Sequence, residues 1–454
     1  MLVTAPKETL LTPQKVHFVS LGCPKNRVDS EVMLGQIQAD YLMTDDADDA
    51  DVIVVNTCSF IQSATEESID TILEMAKRKA EAKCQKLIVT GCMVQRYGNS
   101  LEGELPEVDY FLGTGEYHRL HSILQANTHT MKSFVDTPMY IHDEFAKRIP
   151  SWKPHSAYLK ISEGCNHRCA FCIIPTLRGK LRSRSIPSLV KEAEQLVSQG
   201  VVELNIVSQD STAYGRDLQD GSDLGLLLRN LAKIDGLEWI RLHYAYPIGI
   251  PESLLRAIAE EEKICSYIDI PLQHASGNML KRMRRGVTKA GQERILDRIR
   301  SFVPDVTIRS TFIVGFPGET QDDFNILQEF LQEQRFDRVG VFPYYQEDGT
   351  EAALMDGQLD DETKDQRVEE LMTLQSVISK EKMQGFIDKE VKILVDGHSD
   401  EHEWVQVGRM STQAPEVDGQ VFIDNSDLTE ISSGSFITVR ITQAQEHDLA
   451  GVVV

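Results

Sequence analysis

Three short apolar, β-rich runs early in the chain share one ending. VHFVSLGC reaches Cys23, VIVVNTC reaches Cys58 and KLIVTGC reaches Cys92, each with its cysteine just past the run. Such runs predict buried strands. The cysteines are 35 and 34 residues apart, enough for one strand, one helix and their turns. Val28–Ala39 and Ser63–Ala82 predict the helices between them, the second carrying Ile69, Ile72, Leu73 and Met75. Alternating strands and helices predict a parallel sheet. Ligands of such sheets gather beyond the carboxyl ends of the strands, so the three cysteines are expected to converge at one sheet edge.

Residues 126–155 carry Pro138, Pro150 and Pro154 with little periodicity and read as a linker, placed at 127–150. Strand patterns then recur at Ala157–Ile161, Val202–Ser208, Trp239–Tyr244, Tyr267–Ile270, Val306–Val314 and Arg338–Phe342. Helical stretches such as Ile186–Gln199 and Asp322–Gln334 separate them. Six such units predict an open, partial (β/α)6 barrel with its chemistry at the carboxyl ends of the strands. Residues 362–383 predict one amphipathic helix, with Val368, Leu371, Met372 and Ile378 on a face. Beyond Gly385, VKILVDG, GQVFIDN and SFITVRIT are short and bounded by Gly, Asn and Asp, which predicts a small antiparallel β-barrel. The expected class is a multidomain α/β chain: 14–126, linker 127–150, 151–383 and 384–454.

A length of 454 residues suits about three domains. The eight cysteines are too sparse for a secreted disulfide framework. The first residues lack the apolar core of a leader, and no long apolar run predicts a membrane span, so a cytoplasmic protein is expected. A net charge of −23 makes a poor general binder of nucleic acid and favours a basic partner.

The run EGCNHRCAFC places Cys165, Cys169 and Cys172 in C-x3-C-x2-C spacing. Thiolates suit iron–sulfur clusters, which ordinarily take four cysteines. Three on one loop leave one iron open to a small molecule. The alternative is a zinc loop completed by His167 or a distant residue. Cys23, Cys58 and Cys92 could each be a small buried residue, though three at equivalent places suggest a second three-thiol site. Cys84 and Cys265 lack either pattern and read as ordinary thiols. Arg178, Lys180, Arg182 and Arg184, and then Lys281, Arg282, Arg284 and Arg285, form two basic runs. Exposed surface charge is the expectation for both, with a carboxylate-binding role as the alternative.

At the cysteine loop, with Phe171 before the last cysteine, the chain resembles the radical S-adenosylmethionine (SAM) enzymes. The order of its parts resembles the methylthiotransferases, whose C-terminal module is the TRAM domain. LGCPKNRVDSE (21–31), SQDSTAYG (208–215), RLHYAYP (241–247) and YIDIPLQHAS (267–276) resemble the RimO-type branch. The resemblance implies methylthiolation of the β-carbon of an aspartate in small-subunit ribosomal protein S-twelve; the alternative branch acts on tRNA adenosine. From Gln384 to Val454 there are 13 Asp or Glu and four Lys or Arg, which suits a basic protein better than tRNA.

The resemblance further implies two [4Fe–4S] clusters, one on Cys165, Cys169 and Cys172, the other an auxiliary sulfur-carrying cluster on Cys23, Cys58 and Cys92. It implies that SAM is cleaved at the first to a radical that takes hydrogen from an unactivated carbon, while a second SAM methylates the sulfur. It places the turn with Gly315, Gly318 and Glu319 beside SAM, and Phe171 in the cluster signature; a plain glycine turn is the alternative for the former. Ser208, Gln209, Gln273 and His274 end strands and are candidates to line the same pocket, with a hydrogen-bonded structural histidine as the alternative for His274. An external electron donor and a sulfur donor are implied as partners.

Overall fold

The computed structural model describes residues 13–126, 131–399, 401, 404–424 and 431–454. The N-terminal stretch read as lacking a leader core lies largely outside them, as do linker residues 127–130. The chain divides into two compact units, 1–149 with 176–178, and 150–175 with 179–454.

In the first unit a parallel sheet runs in the order β2-β1-β3-β4-β5-β6. Its strands are β1 (Lys15–Ser20), β2 (Leu42–Met43), β3 (Val52–Thr57), β4 (Lys86–Gly91), β5 (Tyr110–Leu112) and β6 (Ser133–Phe134). β3 is buried along its whole length because both faces are covered. Ile53 and Val55 pack with Ile72, Met75 and Leu87. Val52 and Val54 pack with Val32, Met33 and Ile37 on the other side. β6 falls inside the stretch read as linker; two residues are too short to leave a periodic signal, yet they pair parallel with β5.

The first helix is Pro24–Ile37 and begins four residues before the periodicity suggested. Pro24 suits a first helical turn, which needs no N–H there. The next helix, Gln62–Glu81, lies within one residue of its expected span at each end.

In the second unit six parallel strands are ordered β14-β13-β12-β11-β10-β7 in an open sheet. They are β7 (Ser156–Lys160), β10 (Glu203–Val207), β11 (Trp239–Leu242), β12 (Ile264–Asp269), β13 (Thr307–Val314) and β14 (Arg338–Pro343), and β8 (Ser162–Glu163) with β9 (Arg182–Ser183) forms a small hairpin. Leu159, Leu204, Ile206, Ile240, Leu242, Ile268 and Ile308 face the surrounding helices. The strand pleat sends alternate residues the other way, where Ser156, Glu203, Asn205, Arg241 and His243 bond to one another.

The last module is a closed barrel of β15 (Glu390–His398), β16 (Gln406–Met410), β17 (Val421–Asp424), β18 (Phe436–Ala444) and β19 (Leu449–Val453). All its pairings are antiparallel except β17 with β19. The helix Asp361–Gln384 leads into it. Within this unit the module caps the polar interior of the open barrel. Arg409 reaches Glu203 at 2.7 Å and Asp396 at 2.5 Å. Arg241 adds a contact to Glu203 at 3.1 Å and His155 one to Asp396 at 3.0 Å. Tyr267 donates to Asp418 and Tyr158 to Glu416. Asp396, Asp418 and Arg409 of this acidic module are therefore spent inside.

Burial would push the Glu203 carboxyl up, but Arg409 and Arg241 outweigh it and hold it at about 2. Burial opposes ionisation of Asp396 too, and Arg409 and His155 keep it well below the usual carboxylate range. A carboxylate held low stabilises the fold above its unfolded pKa, 4.5 for Glu203, and loses that contribution as pH falls toward 2. All three tryptophans, Trp152, Trp239 and Trp404, lie in this unit, so their fluorescence follows its unfolding alone. Urea titrations should show stability falling from pH 4.5 downward. Arg409→Met should cost about 3–5 kcal/mol at neutral pH, since two buried carboxylates lose their main counter-charge.

Candidate metal centres

The strand order of the first unit places β1 beside β3, with the chain running outward from there in both directions. That reversal is where doubly wound sheets open a crevice beyond their carboxyl ends. Cys23 follows β1, Cys58 follows β3 and Cys92 follows β4. Thr57 pairs with Gly91, so Cys58 and Cys92 leave neighbouring strands in step.

The glycines before Cys23 and Cys92 have a geometric cause. Gly22 has φ +82°, and a Cβ there would sit 2.6 Å from Cys58 Cβ and 2.9 Å from its sulfur. Gly91 has φ +101°, and a Cβ would lie 2.4 Å from Asn56 Oδ1. A side chain at either position would push the Cys58 or the Asn56 segment away, and the positive φ favours glycine besides.

Asn26 is fully buried and laces the loops together. Its Nδ2 donates to the carbonyls of Leu21 at 3.1 Å and Thr57 at 2.8 Å. Asn56 donates in turn to the Asn26 carbonyl and to Ser30. Ser68 accepts from the Cys58 amide and donates to its carbonyl. Arg178, packed in this unit, donates to Cys92 Sγ at 3.5 Å, to Asp29 at 2.6 Å and to Asn26. Asn26 lies in a motif already singled out, but its bracing role has no signature in sequence.

The three thiols influence one another electrostatically. Burial is the largest influence on Cys23 and acts to raise it. Lys25, Arg178 and backbone N–H groups at the start of the Pro24–Ile37 helix outweigh it, leaving the thiol lowered. Burial wins at Cys58, which is raised, and at Cys92, which is pushed up to about 12.

In the second unit, Cys165, Cys169 and Cys172 are half-buried on the loop after β7 and β8. The Cys165 amide donates to the Gly179 carbonyl and the Cys172 amide to the Cys169 carbonyl. Arg285 donates to Cys169 Sγ at 3.4 Å and to the Pro271 carbonyl, and stands 4.3 Å over the Tyr246 ring. Burial pushes Cys165 up to about 11 and Cys172 to about 12. Ala170, Met279, Met283, Phe316, Tyr344 and Ala352 form an apolar shell, with Phe171 packed against it. His167 Nε2 donates to the Asp210 carboxylate at 2.7 Å, and the ring stacks on Tyr246 at 3.7 Å.

The basic runs correct the expectation of plain surface charge. Arg178, Arg184 and Arg285 are only 2%, 4% and 3% exposed. Arg178 and Arg285 each face one cysteine trio, and Arg184 pairs with Glu192. Lys180, Lys281 and Arg284 are exposed.

The other anticipated residues follow the carboxyl ends of β10, β12 and β13. Ser208 is buried beside Ser211. Gln209 donates to Glu163, which also takes Lys160, while its Oε1 is buried without a partner. Gln273, at φ +74°, likewise has an unpartnered buried Oε1. Both oxygens are acceptors left open to a donor from a bound ligand. His274 is fully buried, accepts at Nδ1 from the Ala275 and Ser276 amides, and so donates through Nε2 to Glu319 at 2.8 Å. Glu319 also takes the Gly315 amide and Arg367. This pair shapes the GFPGE turn, where Gly315 and Gly318 have φ +71° and +78°.

Among the described residues no three His, Cys, Asp or Glu side chains converge on a single ion position.

Residues 15–113 match the Uncharacterized protein family UPF0004, 159–331 the Radical SAM superfamily and 387–454 the TRAM domain. A relative from Geotalea uraniireducens, named Ribosomal protein uS12 methylthiotransferase RimO, is 46% identical over 97% of this chain and 98% of its own. One of the same name from Anaeromyxobacter sp. (strain K) is 48% identical over 97% and 93%. The chain belongs to this family. In fold it is similar to the radical SAM methyltransferase TsrM from Kitasatospora setae, with TM-score 0.54 at 14% identity over 76% of this chain and 77% of that one.

Two thiols of the first trio should differ in the metal-free protein. Iodoacetamide at neutral pH should alkylate Cys23 roughly ten-fold or more faster than Cys92, because only thiolate reacts. Peptide mass spectrometry after timed quenching reads both rates.

Proposed function

We propose that this chain is a radical SAM methylthiotransferase that places a methylthio group on the β-carbon of an aspartate in small-subunit ribosomal protein uS12. Identity of 46% and 48% over 97% of this chain to relatives bearing that name carries the reading. Cys165, Cys169 and Cys172 hold one [4Fe–4S] cluster, and Cys23, Cys58 and Cys92 hold the other. Bound clusters and SAM together supply one-electron chemistry that takes hydrogen from an unactivated carbon, and sulfur to replace it. Acid–base groups alone could not activate such a carbon, which has no useful acidity.

The chain's own contribution is placement and exclusion. Gln209 and Gln273 offer their orphaned oxygens to SAM donors, beside Ser208 and the backbone of Gly315 and Gly318. His274 and Glu319 hold that turn in shape. The apolar shell around Ala170 and Phe171 keeps water from the reactive centre. The working domains are 14–126, 151–383 and 384–454; 127–150 runs between the first two and lends β6 to the first sheet. An external reductant and a sulfur donor complete the cycle, and the setting is the cytoplasm. The acidity of 384–454 supports a basic protein substrate over tRNA. Among the described residues no helix is long and apolar enough to cross a membrane.

Anaerobically reconstituted protein should hold about eight irons per chain, from two cubanes. Cys58→Ala should bring this to about four while SAM is still cleaved to methionine; Cys169→Ala should abolish cleavage. Unchanged iron in Cys58→Ala would refute the second cluster. In a deletion strain uS12 should lose its methylthio mass. Loss from tRNA instead, with uS12 unaltered, would reverse the substrate assignment.

A further inference from the structure

Arg178 is nearly inaccessible, yet it serves no apolar core and caps no charge at the surface. Its guanidinium reaches Cys92 Sγ, Asp29 and Asn26 at once. Asn26 in turn holds the carbonyls of Leu21 and Thr57, just ahead of Cys23 and Cys58. Arg178 is thus a buried cation standing among all three thiol loops. A lysine would bring one point charge; the planar fork of arginine brings several directed donors.

The electrostatics of a cluster at this place give the cation a task. Three thiolates outweigh the charge of an oxidised cubane, and reduction adds one more negative charge. Hydrogen bonds to sulfur and nearby net charge set how readily that electron is accepted. Asp29, 2.6 Å from Arg178 and buried with it, cancels part of the favourable field.

We propose that Arg178 is a positioning residue for the cluster on Cys23, Cys58 and Cys92, and that through Cys92 it raises that cluster's reduction potential by an amount Asp29 limits. This rests on the assignment of those cysteines as cluster ligands. It assigns opposite effects to two residues that form one ion pair. Removing the arginine leaves a buried carboxylate facing the cluster. Removing the carboxylate leaves an undiminished cation.

The test uses full-length protein with Cys165, Cys169 and Cys172 all replaced by alanine, reconstituted without oxygen, so that a single cluster titrates. Potentiometry followed by electron paramagnetic resonance reads its midpoint. Arg178→Gln should shift the midpoint to more negative values and Asp29→Asn to more positive values, with Arg178→Lys between Arg178→Gln and the unaltered background. If Arg178→Gln loses its iron, recovery in Arg178→Lys together with the positive shift in Asp29→Asn supports the proposal. Equal midpoints, or shifts of the same sign in Arg178→Gln and Asp29→Asn, would overturn it. A background protein that binds no iron would overturn the cluster assignment itself, a result distinct from an unmoved midpoint.

Discussion

Parallel strands that end together impose the geometry on which everything else here depends. A parallel sheet aligns the carboxyl ends of strands that are far apart in sequence, and the loops leaving those ends share one edge. The first unit uses this to gather cysteines 23, 58 and 92. The registered pair Thr57 and Gly91 hands the chain to two of them side by side. The second unit uses the same device differently. Its cysteines arrive together on a single loop, and the other strand ends bring Ser208, Gln209, Gln273 and the GFPGE turn.

Gathering thiols in a protein interior has an electrostatic cost, and each trio answers it with a buried arginine. Arg178 faces Cys92 and Arg285 faces Cys169. The surroundings of the two differ. Arg178 shares its charge with a carboxylate, whereas Arg285 lies over the Tyr246 ring and donates to a backbone carbonyl. Away from the thiols, the acidic C-terminal module follows the same logic: Arg409 stands between Glu203 and Asp396, so module and barrel are joined by charges neither could bury alone.

The strands and the cysteine positions were legible because both leave local signals. β3 opens on four β-branched residues, Val52 to Val55, and C-x3-C-x2-C is a spacing few chemistries require. The helix at Pro24 started earlier than its periodicity because the signal there is proline chemistry, not apolar repeat. The two-residue β6 was hidden because its pairing partner, not its own sequence, makes it a strand. The burial of Arg178 and Arg285 leaves no local signal for a related reason. A run of basic residues ordinarily marks solvent, and only the tertiary fold turns single members inward toward sulfur. The bracing by Asn26 and the mutual bonding of His274 and Glu319 are likewise long-range, with partners 31 and 45 residues away.

Mössbauer spectroscopy of protein reconstituted with isotopically enriched iron tests the central claim most directly. Two cubane signals of equal weight should appear. Replacing either cysteine trio should remove one of them, and adding SAM should alter a single iron site only where Cys165, Cys169 and Cys172 remain. A spectrum of mononuclear iron, or one cubane that survives the loss of either trio, would contradict two separate three-thiol centres.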